Sequence, residues 1–129
     1  MTVDLGCLVA NALWGLLLVL VEIGGKTRVA GPKWNTGNRD GAPAFPAWVD
    51  RAGRALGNHK ENFPLFATAV LVLAVLRRND GATAVAAIVY AVARALHGLV
   101  YLAGITGLRS LVYVVGVAAI LFLYAKIVF

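Results

Sequence analysis

Four long apolar runs, separated by polar interruptions, set the plan of this chain. The first, about 3–23, is long enough to cross a bilayer as a helix. Only Asp4 is charged before it, so it lacks the basic leader of a signal peptide and reads as a retained helix. From 24 to 48 glycine, proline and basic residues predominate, which predicts a long loop with a turn at Asn38-Arg39-Asp40-Gly41. A second helix is predicted over about 48–76. It exceeds what a span requires, so its polar first half is expected to project past the hydrocarbon, and Pro64 is expected to kink it. Polar residues at 77–81 stop it, a third helix follows over about 82–103, and a tight turn leads to a fourth over about 108–128. The pattern predicts an all-α fold: a single integral membrane four-helix bundle occupying residues 1–129.

The polar positions inside these runs are themselves periodic. Arg51, Arg54, Asn58 and Glu61 fall at i, i+3, i+7 and i+10, on one face of the second helix. Polar groups entering a bilayer are costly unless they meet a partner, a cavity or the interface. Two guanidinium groups, a carboxamide and a carboxylate together suit a small zwitterionic or anionic ligand. In the third helix Tyr90, Arg94, His97 and Tyr101 fall at i, i+4, i+7 and i+11. Arg94 cannot face lipid cheaply among alanines and valines, and Glu61 is its expected partner. Ala87, Ala91 and Ala95 form a ridge that permits close helix approach. In the first helix Asp4, Asn11 and Glu22 share a stripe. Either Asp4 and Glu22 mark the two interfaces, or Asn11 or Glu22 pairs with a basic residue of another helix. A purely architectural reading, in which Arg54, Glu61 and Arg94 pair to hold the bundle, is also open.

Composition agrees with the pattern. Of 129 residues 60% are hydrophobic and only 14% are charged, with a mean hydropathy of +0.80, whereas soluble domains carry about a quarter charged residues. The net charge of +6 does not argue for nucleic acid, because the basic residues cluster at the ends of apolar runs, where membrane topology places them. Lys26, Arg28, Lys33, Arg39, Arg51, Arg54, Lys60 and Arg109 fall on one side of the bundle, and Arg77, Arg78 and Lys126 on the other. The first and third loops are therefore expected in the cytoplasm and both termini outside, with a bacterial inner membrane as the expected location. Cys7 is the only cysteine, which excludes an intrachain disulfide and a cysteine-based metal site.

Arg51, Arg54-Ala55, Asn58, Glu61-Asn62 and Pro64-Leu65-Phe66 together resemble the MAPEG family, small four-helix membrane proteins that include microsomal glutathione transferases, leukotriene C synthase and microsomal prostaglandin E synthase. The resemblance extends over nearly the whole chain, taking in the basic loop and the stretch from Arg94 through Tyr101 to Arg109. It implies a homotrimer with glutathione, as substrate, bound between subunits at the cytoplasmic side. Arg54, Asn58 and Glu61 would hold the glutathione from the second helix, with Arg51, Asn62 and Arg94 in the same polar set. Tyr101 and Arg109 would reach it from the third helix and the start of the fourth, and His97 stands where the family often has tyrosine. A further arginine stabilises the thiolate in the family; Arg28 is the first candidate here and Arg39 the second. Leu56 departs from the family, which often has histidine or glutamine there, so one polar contact is expected to be missing.

The chemistry fits these roles. Guanidinium groups bind carboxylates in bidentate fashion, and glutathione carries two. Glu61 could accept from its amino group. An arginine beside a thiol, whose unperturbed pKa is about 8.5, favours the nucleophilic thiolate, and no metal is needed. The implied function is a membrane-bound glutathione transferase, with peroxidase chemistry open at the same site, acting on lipophilic small molecules that reach it among membrane lipids. A non-catalytic lipid-binding or regulatory protein on the same fold is the alternative. A channel or transporter is less favoured, since no inverted repeat is visible.

Overall fold

A computed structural model describes residues 1–129. It contains five helices: α1 (Val3–Ala30), α2 (Pro32–Thr36), α3 (Ala47–Leu76), α4 (Gly81–Ala103) and α5 (Thr106–Val128). All but the short α2 are long and apolar enough to cross a membrane, so the all-α, four-span architecture is as predicted. α3 and α4 form a central pair, with α1 and α5 each packed against both.

The main departure is at the end of α1, which runs to Ala30 instead of stopping near Ile23. The residues read as loop satisfy helical requirements. Lys26 Nζ lies 2.6 Å from Glu22 Oε1 one turn earlier, and Arg28 sits in the last turn, where a cation opposes the helix dipole. Gly25 is buried against the start of α3, so close that a Cβ there would lie 2.7 Å from Trp48 Cη2. Gly31, at φ 86°, ends the helix, and Pro32 opens α2. The stretch 38–41, expected as a turn, has no backbone hydrogen bond of its own. Arg39 (φ 63°) and Gly41 (φ 62°) redirect the chain, Trp34 Nε1 donates to the Asp40 carbonyl at 3.0 Å, and Arg39 Nε donates to the Asn35 carbonyl at 3.1 Å.

α3 carries Asp50 in its first turn, where an acid suits the dipole, and stays helical through Pro64. The surrounding carbonyls are engaged from outside the helix ladder: the Thr68 hydroxyl donates to the Pro64 carbonyl at 2.8 Å and Tyr124 Oη of α5 to the Leu65 carbonyl at 3.1 Å. Asp80 caps α4, its side chain accepting from the Thr83 amide at 2.8 Å.

The core lies where α3, α4 and α5 meet, around Phe66, Leu73, Tyr90 and Leu123, all fully buried; Phe66 and Tyr90 stack with ring centres 3.9 Å apart. α1 buries only Asp4, Asn11, Leu18 and Gly25, one residue per seven. So narrow a seam leaves most of α1 uncovered within the chain. Asp4 and Asn11 thus turn inward, each 2% exposed. Neither Asn11 nor Glu22 pairs with a basic residue of another helix: Asn11 Nδ2 donates to the Cys7 carbonyl at 3.1 Å, and Glu22 is matched within its own helix.

α1 and α4 approach closely at Gly98, where an added Cβ would lie 2.7 Å from Trp14 Cζ2. Gly98→Ala is expected to cost about 1–3 kcal/mol by overpacking, read as a lowered melting temperature in detergent. An unchanged melting temperature would mean that Trp14 moves aside freely.

Candidate functional site

The polar stripe of α3 divides in two. At 3.6 residues per turn, Arg51 and Asn58 lie about 20° apart around the helix, as do Arg54 and Glu61, and the two pairs are offset by about 60°. That offset directs them to different surroundings. Arg51 and Asn58 face α4, whereas Arg54 and Glu61 lie exposed on the outer face of the protomer. Arg51 Nε donates to the Leu102 carbonyl at 2.9 Å, satisfying a free carbonyl at the C-terminal end of α4. Asn58 Oδ1 accepts from Arg94 Nη2 at 2.6 Å. The expected Arg94–Glu61 pair is therefore not formed. Glu61 points outward from α3, and the carboxamide one turn before it takes the guanidinium instead.

The α4 stripe faces inward as its spacing predicts. Tyr90, Arg94 and His97 are buried and Tyr101 half-buried. Arg94 is 2% exposed, and its Nε and the Tyr90 hydroxyl have no hydrogen-bond partner within the chain. Asn62 is also buried, with Nδ2 donating to the Asn58 carbonyl at 2.8 Å, so its donor is turned to the α3 backbone.

Where the C-terminal half of α4 meets the first turns of α5, these residues border a cleft of about 290 Å³. Asn58, His97, Tyr101 and Arg109 line it, together with Ser110, Tyr113 and Val114. The Arg109 guanidinium lies over the Tyr101 ring, 4.7 Å from its centre. The His97 ring meets Tyr101 edge-on at 5.5 Å and Tyr113 at 6.0 Å. Cation–π and aromatic packing thus fix both side chains without using the outer nitrogens of Arg109. The chemistry on offer is anion binding by a guanidinium, with phenol and imidazole groups able to donate or accept beside it. Ser110 and Tyr113 were not anticipated from the sequence, although Tyr113, at i+4 from Arg109, shares its face and could have been found that way.

The two loop-side arginines lie elsewhere. Arg28 borders a separate cleft of about 300 Å³ between α1 and the start of α3, lined by Leu20, Val21, Gly24, Gly25 and Trp48. Arg39 is exposed, its Nε bonded to the Asn35 carbonyl. Neither lines the Asn58–Arg109 cleft of its own chain. Leu56 is 4% exposed and packs with Leu18 and Ala55, so this position faces α1 and not that cleft.

Compared with protein-family models, the chain matches that of the MAPEG family over residues 5–129, essentially its full length. No curated protein and no solved structure matches it.

Proposed function

The chain belongs to the MAPEG family, and from that premise we propose that it is a membrane-bound glutathione transferase. In this reading it activates the glutathione thiolate for attack on a lipophilic electrophile, with peroxidase chemistry open at the same site. The observation that carries the proposal is the cleft joining Asn58, His97, Tyr101 and Arg109, with Arg94 anchored on Asn58 behind it. A buried guanidinium backing a second one is an arrangement for an anionic ligand.

A homotrimer is part of the same reading, and the surface beside the cleft supports a neighbouring subunit. At about 290 Å³ the cleft lies at the lower limit of ligand pockets, about 300–1,000 Å³. Beside it Arg54 and Glu61 stand exposed on the outer face of α3, with no partner in their own chain. A neighbouring subunit covering this face of α3 would both enlarge the site and shield those charges. Arg54 and Arg109 then bind the two glutathione carboxylates, Glu61 accepts from the amino group, and Asn58 and Tyr101 position the backbone. Arg51, Asn62 and His97 support this shell. The thiolate-stabilising arginine comes from the neighbour. Arg28 is preferred, because it rims a cleft whose other lining residues carry no charge; Arg39 is second. In the reaction the thiol proton leaves to solvent, the sulfur electron pair forms the carbon–sulfur bond, and the leaving group departs with its own pair. In this reading the site lies on the cytoplasmic side of a bacterial inner membrane, an orientation that the basic residues at this end support.

Calorimetry of glutathione binding to detergent-purified protein, paired with a thiolate absorbance titration, tests this reading. Binding with a lowered thiol pKa is expected. Arg28→Ala should keep the binding and lose the lowered pKa; if Arg39→Ala does so instead, the role passes to Arg39. No binding by the unmodified protein would overturn the proposal in favour of a lipid-binding or regulatory role on the same fold.

A further inference from the structure

The opposite end of the bundle carries a second, unrelated set of features. Between the α3–α4 turn and the C-terminal end of α5 lies a cleft of about 520 Å³ lined by Arg78, Asp80, Phe122, Ala125, Lys126 and Phe129. Its cations are held in place. Lys126 Nζ lies 2.7 Å from Asp80 Oδ2, and Arg78 Nη1 donates to the Ile127 carbonyl at 2.7 Å, leaving the rest of the guanidinium free. Hydrogen bonding from Lys126, above all, keeps the Asp80 carboxyl below its usual pKa, so the acid stays ionised and matched to that lysine. Two cations and one acid thus line the cleft, so one positive charge is left uncompensated there.

This cleft does not end in solvent on every side. Phe122 also lines an entirely apolar groove of about 370 Å³ between α4 and α5, bordered by Ala82, Val85, Ala86, Val89 and Ala119. Cationic cleft and apolar groove therefore meet at one side chain. From Asp80 to Val89 the helix rises nine residues, about 14 Å, close to half of a hydrocarbon core about 30 Å thick. The groove is thus as deep as one leaflet.

We propose that this end of the bundle is a binding site for an anionic membrane phospholipid, its phosphate between Arg78 and Lys126 and one acyl chain along the α4–α5 groove. The charge selects the head, and the groove selects an amphiphile over a soluble anion. The site is distinct from the Asn58–Arg109 cleft and does not depend on the reading given to it.

Native mass spectrometry of the detergent-purified protein, titrated with phosphatidylglycerol or phosphatidylcholine of equal chain length, tests this. One uncompensated basic side chain near a headgroup is expected to favour the anionic lipid about fivefold. R78Q/K126Q should bring the two lipids level. Val85 is 61% exposed, so Val85→Trp fills the groove without entering the core; it should weaken both lipids and keep their ratio. That variant decides the matter if the double variant does not fold. Equal binding of the two lipids by the unmodified protein, a preference that survives R78Q/K126Q, or undiminished binding by Val85→Trp would each overturn the proposal. So would inorganic phosphate displacing the lipid at equal concentration, since the groove would then contribute nothing.

Discussion

Replacing Arg54 or Glu61 by alanine is expected to abolish glutathione binding while leaving the protomer folded. Both side chains are exposed, and neither makes a hydrogen bond or ion pair within its own chain. Their removal therefore takes nothing from the packing of α3 against its neighbours. If they do bind a carboxylate and an ammonium group in a site closed by a second subunit, each truncation leaves a buried charge without a partner. That costs about 2–5 kcal/mol, or roughly thirtyfold to several thousandfold in affinity. Calorimetry gives the affinity, and light scattering of the same samples gives the assembly state. Loss of assembly with either substitution would mean that these charges join subunits and not ligand. Full-strength binding would remove them from the site.

Arg94 is expected to show the largest combined effect. It is 2% exposed and gives a 2.6 Å hydrogen bond to Asn58 from the middle of α4. Arg94→Ala removes a charge-assisted hydrogen bond worth about 1.5–3 kcal/mol and opens a cavity whose cost is of similar size, so a loss of about 3–5 kcal/mol is expected. Arg94→Met separates the two contributions. It fills most of the volume without charge, so thermal stability should largely recover, while glutathione affinity should stay at least tenfold reduced because Asn58 is no longer held and the charge behind the cleft is gone. If Arg94→Met binds glutathione as the unmodified protein does, Arg94 is architecture alone.

Much of this was legible in the sequence, for identifiable reasons. Runs of twenty or so apolar residues leave a backbone little choice in a bilayer but to bond within itself, so four helices were fixed by composition and length. Helical periodicity put Tyr90, Arg94 and His97 on one inward face, and this held because a charged or polar group in such a run has nowhere cheaper to go. Helix ends were less legible. Gly24 and Gly25 read as loop, yet α1 continues to Ala30, because a glycine lets Trp48 and Val49 approach and that contact is invisible in a single helix's own sequence.

Pairings lay further out of reach. Arg51, Arg54, Asn58 and Glu61 share a face broad enough to serve two neighbours, and only the placement of α4 decided which two turn inward. It gave Arg94 to Asn58 and left Glu61 outside. In the same way Arg77, Arg78 and Lys126 were legible as charges on one side of the bundle, but the junction of Arg78 and Lys126 with an apolar groove through Phe122 exists only because α5 packs along α4. Periodicity says which residues share a face of one helix. It does not say which helix stands opposite, and that is set by packing among elements distant in the chain.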